Sequence, residues 1–314
     1  MVAAVSHPRS GRAELHPGSL RVMSEATGRA LVLGGGGVVG IAWETGLLVG
    51  LRDGGIDVTD ADLIVGTSAG STVGSQVAAG RDLDELLATQ FGPSDGRMER
   101  LAADIDVAAA LEFWGWLAVQ TEFGIAELRE IGQRSLAART PSSEDRLEMV
   151  EARLGLREWP DRALRVTAID CETGEFVWWD RSGSATLIQA VASSSAVPVL
   201  FPPVEIAGRR YYDGGLRSPT CADLAVGYER VLIIAPISPT ADAIGQVVTA
   251  TITAETAAIE DAGGRVLCLH PDAPALEAFG PNSMDPGRRK PAAEAGRRQG
   301  LEFAAAVRSF WEKP

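Results

Sequence analysis

The stretch Asp62-Leu63-Ile64-Val65-Gly66-Thr67-Ser68-Ala69-Gly70-Ser71-Thr72-Val73-Gly74-Ser75-Gln76-Val77-Ala78 decides how the chain is read. Its first four residues form the apolar run of a short buried strand, and the residues after Gly70 continue as a helix. Between them Gly66 and Gly70 flank a serine in a G-x-S-x-G pattern. Small residues on both sides let backbone pass close to backbone. The Ser68 hydroxyl then stands at the apex of a sharp strand-to-helix turn, with a helix N-terminus beneath it. That position suits a nucleophile. The same letters also describe a glycine-rich turn with an incidental serine, and the motif alone leaves both open.

Upstream lies a second glycine cluster. Arg29-Ala30-Leu31-Val32-Leu33 reads as a strand, Gly34-Gly35-Gly36-Gly37-Val38-Val39-Gly40 follows it, and Ile41-Ala42-Trp43-Glu44-Thr45-Gly46-Leu47-Leu48 has helical periodicity. At a helix N-terminus, unobstructed glycine amides attract negative charge, either a phosphate or the oxyanion of a tetrahedral acyl-transfer intermediate. From Ala30 to Gly80 the pattern is therefore a βαβα unit. It predicts a parallel sheet with helices on its faces and a site at the carboxyl ends of the strands.

A third motif, Asp213-Gly214-Gly215, follows in the second half, after Ser193-Ser194-Ser195-Ala196-Val197-Pro198 and Phe201-Pro202-Pro203-Val204. Taken in this order, from about Ala30 to Ala235, the motifs resemble the patatin-like phospholipase family. The resemblance implies a mostly parallel central sheet flanked by helices, a three-layer α/β/α architecture. It further implies a Ser-Asp dyad of Ser68 and Asp213 and an oxyanion hole built from the amides of Gly35, Gly36 and Gly37. Such a site hydrolyses lipid or short-chain esters without a cofactor. One position departs from the pattern: family members often carry Arg or Lys just before the last glycine of the loop, where this chain has Val39.

Elsewhere the chain is read from its composition and periodicity. With 314 residues and 46% apolar content it has material for one large domain or two small ones. A net charge of −13 argues against a nucleic-acid partner and disfavours electrostatic docking on anionic membranes. Cys171, Cys221 and Cys268 are widely spaced, so neither a disulfide framework nor a zinc site is expected, and no metal cluster is visible. Met1 to Gly28 reads as a flexible leader without a signal-peptide core, and 29–314 as a single hydrolase domain. No segment reaches the ~20 apolar residues of a membrane span. The expectation is a cytoplasmic protein whose contact with lipid is peripheral.

Residues from about 82 to 160 read as helices broken at Gly92-Pro93 and Pro141, a candidate cap over the site. Within them Leu111-Glu112-Phe113-Trp114-Gly115-Trp116-Leu117 is either an acyl-chain wall or ordinary helix core. Leu164–Asp170 and Glu175–Asp180 read as an antiparallel hairpin, Ala185–Ser193 as a short helix, and Ser193 to Ser195 as a structural helix end. Val231–Ala235 and Arg265–Leu269 read as buried strands around a helix near Val247–Asp261. Pro271–Pro291 reads as a loop, and Glu294–Trp311 as a closing helix.

Two other readings remain open at this level. Ser68, Asp213 and His270 follow the chain order of an α/β-hydrolase triad, the other histidines being His7 and His16 in the leader. Gly35-x-Gly37-x-x-Gly40 after a strand also matches a dinucleotide fingerprint, with Asp57 or Asp60 near the acidic position. A catalytically silent lipid-binding protein is a further alternative.

Overall fold

The structure is a computed structural model and describes residues 26–93, 96, 106–120, 123–237 and 243–312. Most of the expected leader, with His7 and His16, lies outside the described residues. Among the described residues eight strands form one sheet: β1 (Arg29–Leu33), β2 (Leu63–Gly66), β3 (Leu164–Asp170), β4 (Phe176–Trp179), β5 (Val204–Ile206), β6 (Arg209–Asp213), β7 (Arg230–Ile234) and β8 (Arg265–Leu269). Their order is β5-β6-β3-β2-β1-β7-β8, with β4 also paired to β3. The β8-β7-β1-β2-β3 portion is parallel, and β3-β4, β3-β6 and β5-β6 are antiparallel.

Alternation along the strands divides the core into two faces. Leu31, Leu33, Ile64, Leu232 and Ile234 pack with Trp43 and Leu47 of α1 (Gly37–Asp53) and Val73 of α2 (Ala69–Ala78). Ala30, Val32, Leu63, Val65, Val231 and Ile233 face the other way, toward Ile259. Side chains of period two, covered on both sides, are what a parallel sheet between helical layers requires. The structure thus has the mostly parallel, helix-flanked α/β architecture.

α1 is buried along nearly its whole length, hence its lack of a polar face. Its outer surface is covered by the last helix, and a Cβ on Gly46 or Gly296 would collide with the backbone carbonyl of Ala293 or Trp43 respectively. The indole of Trp43 donates to Gln299 Oε1 at 2.8 Å across the same contact. The helix that carries the glycine loop is therefore clamped by the C-terminal part of the chain.

Between α2 and β3 the described helices are α3 (Leu83–Phe91), α4 (Val107–Leu117), α5 (Ile125–Ala137) and α6 (Ser143–Leu154). They do not act as one slab. Leu83, Leu86 and Leu87 of α3 join the core beside α1, whereas Phe113, Leu117, Leu128 and Ile131 of α4 and α5 form a separate cluster on Ile169 and Tyr212. After the β3-β4 hairpin, α7 (Leu187–Ser194) begins with a capping box from Thr186 and Gln189, two residues later than the residue pattern indicates. α8 spans Ala243–Asp261.

Two expectations for the last third are corrected. β8 is the sheet edge, so only Leu269 of its five residues is buried, in contrast to the fully buried β7. Pro271–Pro291 is not a plain loop: it holds α9 (Ala273–Phe279) and a 3₁₀ turn at Pro286–Arg288. Asp272 caps α9 by accepting from the Ala275 amide at 2.9 Å, and Pro274 sits in the first turn, where a missing N–H costs nothing. α10 (Arg289–Trp311) closes the fold.

Candidate active site

The site begins with the way three strands share an edge. Val166 of β3 faces Gly66 on one side and Trp179 on the other. Two residues on, Ala168 faces Asp213 on one side and Val177 on the other. β4 therefore occupies one edge of β3, and β2 and β6 share the opposite edge. β2 runs parallel to β3 and β6 antiparallel, so their carboxyl ends converge over Thr167. The buried hydroxyls of Thr67 and Thr167 meet there at 2.9 Å.

Ser68 follows β2 directly and takes φ 52° and ψ −111°, a region that L side chains rarely adopt. The surroundings hold it there. Its amide donates to Ser194 Oγ at 2.9 Å, and its carbonyl accepts from Ser71 Oγ at 2.6 Å. A Cβ on Gly66 would come within 2.6 Å of the Gly70 carbonyl, and one on Gly70 would strike the Leu33 carbonyl. The two glycines of the motif are thus required by close backbone approach rather than by chemistry.

Asp213 ends β6 and is 3% exposed. Ser68 Oγ donates to its Oδ2 at 2.8 Å, and the Gly215 amide donates to its Oδ1 at 2.8 Å. Burial raises its pKa from the ordinary 3.8 to about 6, against the opposing pull of the Gly215 amide, the Ser68 hydroxyl and the Arg146 guanidinium. Asp-Gly here is not a bland hairpin turn. It is a buried carboxyl held on a serine.

Of the three expected oxyanion donors, Gly35 is corrected: its amide donates to the Pro219 carbonyl at 2.8 Å. The amide of Val39 is likewise taken, by Ser283 O at 3.1 Å. The amides of Gly36, Gly37 and Val38 have no acceptor among the described residues and lie at the N-terminus of α1. Gly37 has φ +65° and passes so close to Ser283 that a Cβ would sit 2.7 Å from its carbonyl. An added Cβ on Gly35 would lie 3.4 Å from Ser68 Cβ, which puts the loop alongside the serine.

The model of one family, described as patatin-like phospholipase, matches residues 31–226. The chain belongs to the patatin-like phospholipase family. Uncharacterised NTE family proteins of Mycobacterium tuberculosis and Mycobacterium bovis are 31% identical to it over 206 residues. That match covers 65% of this chain and 47% of theirs, so the chain spans about half the length of the curated relatives it matches. Among solved structures, VipD from Legionella pneumophila superposes with a TM-score of 0.44 at 17% identity, covering 90% of this chain and 67% of that one. The type III effector protein ExoU gives 0.38 at 14% identity, covering 90% and 53%.

In this patatin-like chain the serine, the aspartate and the glycine loop open onto one cleft of about 690 Å³. Val39, at the family's basic position, is buried in the cleft wall. Apolar walls come from Ile41, Leu200, Phe201, Phe279 and Met284. Trp114 also reaches the cleft and is 37% exposed, whereas Phe113 beside it is buried; the aromatic cluster splits between wall and core.

Other singled-out residues lie elsewhere. His270 is not in the cleft wall: its Nδ1 lies 3.0 Å from Ile237 O and its Nε2 3.2 Å from Cys268 Sγ. Asp60 pairs with Arg29 at the start of β1, the strand end opposite the glycine loop, and Asp57 caps Thr59. Burial pushes the thiols of Cys171, Cys221 and Cys268 up to about 12, which keeps them protonated.

Sequence reasoning missed Arg146 and Arg153, two cations in the cleft wall. Ser-Glu-Asp-Arg-Leu-Glu-Met-Val-Glu-Ala-Arg-Leu carries the charge mix of a solvent-facing helix, and nothing in it marks these arginines as inward. Ser194 reads from the sequence as part of a structural helix end. Its hydroxyl performs that part next to the nucleophile candidate.

Proposed function

We propose that this protein is a lipid acyl hydrolase in which Ser68 is the nucleophile, Asp213 its general base, and the amides of Gly36, Gly37 and Val38 the oxyanion donors. We also read residues 29–314 as one hydrolase domain. The single observation carrying the proposal is the 2.8 Å hydrogen bond from Ser68 Oγ to Asp213 Oδ2, made at a positive-φ elbow inside an apolar cleft.

In the first half-reaction Ser68 Oγ attacks the ester carbonyl carbon and its proton passes to Asp213 Oδ2. The carbonyl oxygen becomes an oxyanion facing the glycine-loop amides. Collapse breaks the bond to the leaving alcohol, which takes the proton from Asp213 and departs, leaving an acyl-serine. Water then attacks the acyl carbon, Asp213 accepts its proton, and collapse releases the fatty acid as the proton returns to Ser68 Oγ. A carboxyl near pKa 6 suits both directions of transfer at neutral pH.

The partners of His270 disfavour a triad, and the arginine partner of Asp60 disfavours a dinucleotide site. The test is fluorophosphonate labelling followed by peptide mapping. Label on Ser68 that is lost in Asp213→Asn and kept in His270→Ala supports the dyad. Label that depends on His270, or none on Ser68, removes it. Turnover of a short p-nitrophenyl ester, lost in Ser68→Ala, separates an enzyme from a silent lipid-binding protein.

A further inference from the structure

Three consecutive residues at the end of α7 hold three different groups of the cleft. Ser194 Oγ accepts from the Ser68 amide at 2.9 Å, Ser195 accepts from the Arg146 guanidinium, and Ala196 O accepts from the Asp213 amide at 3.2 Å. Arg146 grips the middle residue twice, its Nη2 donating to Ser195 O at 2.8 Å and to Ser195 Oγ at 2.7 Å. The same hydroxyl donates back to Val191 O at 2.7 Å, one turn earlier in α7. The turn that touches both Ser68 and Asp213 is therefore tied to its own helix and, through Arg146, to α6.

Ser195 is the C-cap of α7, where helix carbonyls run out of intrahelical donors and the helix dipole presents its negative end. A planar guanidinium suits that place, because it fixes the direction as well as the distance of what it holds. Arg146 is itself immobilised: it is 1% exposed, its Nη1 lies 3.9 Å from Met149 Sδ, and its guanidinium carbon lies 4.2 Å from the centre of the Phe201 ring. Burial, followed by the like charge of Arg153, pushes its pKa down to about 9 while Asp213 pulls the other way, so it is cationic at neutral pH. A buried cation is costly to keep merely to end a helix, for which a glycine suffices. What sets this helix end apart is that the neighbours of Ser195 carry the amides of Ser68 and Asp213. We infer that Arg146 is a positioning residue for the Ser68–Asp213 pair, acting through the Ser194-Ser195-Ala196 turn that it clamps at its middle. The inference rests on the acyl-hydrolase reading and deepens it. Ser68 occupies a backbone region that L side chains rarely adopt, so a turn free to shift by about 1 Å would release its hydroxyl from Asp213.

The test follows hydrolysis of p-nitrophenyl butyrate, a small soluble ester, per active site titrated to completion with a fluorophosphonate, for the whole chain and for Arg146→Ala and Arg146→Lys. Arg146→Ala should lose about a hundredfold in kcat with KM within about twofold, and Arg146→Lys about tenfold, because a displaced pair fails in the reaction rather than in binding. Guanidinium chloride, far below denaturing concentrations, should return about tenfold of the Arg146→Ala loss by refilling the place of the side chain. A role confined to stability would lower Tm and the number of labelled sites, leave kcat per labelled site unchanged and show no rescue, which would overturn the inference. A loss carried by KM would overturn it as well, since Arg146 would then be holding the ester itself. Should Arg146→Ala not fold, the cycle of Arg146→Lys, Ser195→Ala and the two combined decides. Losses in kcat that fail to add place both residues on one path and support the inference, while additive losses overturn it. Turnover in the unmodified chain with unimpaired Arg146 variants removes this inference alone. No turnover in the unmodified chain removes it together with the hydrolase reading.

Discussion

At the floor of the cleft, atoms are fixed by named partners: the Ser68 amide by Ser194 Oγ, its hydroxyl by Asp213, and the second oxygen of Asp213 by the Gly215 amide. At the rim the demands are looser. Trp114 lines the cleft half-covered, and Leu111 and Val107 on the same helix stand 70% and 64% exposed. The floor requires particular groups at particular distances, whereas the rim requires only apolar surface of adequate size. Substitutions should therefore fail abruptly at the floor and gradually at the rim.

The largest effect is expected from Ser68→Ala, with a loss of about a thousandfold or more in kcat on any ester, read with a chromogenic substrate. Asp213→Asn should lose a comparable factor and yet be more stable. A carboxyl raised from 3.8 to about 6 disfavours the ionised folded state, so its contribution to stability is full below pH 3.8 and lost as pH rises through 6. At pH 7 the amide removes a cost of up to about 3 kcal/mol. Urea unfolding at pH 7 and pH 4 checks this: the gain should be present at the first and absent at the second. A variant destabilised at pH 7 would break the contrast.

Gly70→Ala comes next. Its methyl group has nowhere to go beside the Leu33 carbonyl, and a cost of about 3 kcal/mol or more should appear as a lowered Tm. The pH profile follows: kcat/KM should rise with pH through a midpoint near 6 with unit slope, because Asp213 must be ionised to accept the serine proton. The smallest effect belongs to the rim. Trp114→Ala should raise KM for long-chain esters about three- to tenfold while leaving kcat nearly unchanged, as expected for a side chain that contributes only apolar contact. A large fall in kcat there would show that the rim also positions the reacting ester.

The same contrast explains what could be read in advance. Ser68 and the glycine loop stood out as candidates because backbone crowding at Gly66 and Gly70 and unobstructed amides at the loop admit few residue types, whereas Asp213 stood out only through the resemblance that the order of the motifs carries. Gly35 was assigned the wrong partner, since whether a loop amide faces the cleft or the Pro219 carbonyl depends on a segment far along the chain. Arg146 and Arg153 escaped for a different reason: a helix carrying charges on several sides does not reveal which of them face inward. α9 was hidden because proline in a first helical turn resembles a breaker. The edge position of β8 depends on strand order, which its own five residues do not encode.

Because β2 and β6 abut along one side of β3, that strand serves as a common datum for two groups 145 residues apart in the chain. The loops and outer helices between them can lengthen, shorten or be exchanged without altering their separation, provided both strands keep their place on the datum and Ser194 keeps its hold on the Ser68 amide. Conversely, sliding β6 by two positions would preserve which side chains face the core and would carry the carboxylate roughly 7 Å away from the hydroxyl. On the proposed dyad, such a protein would fold, keep every motif in its sequence and be inert.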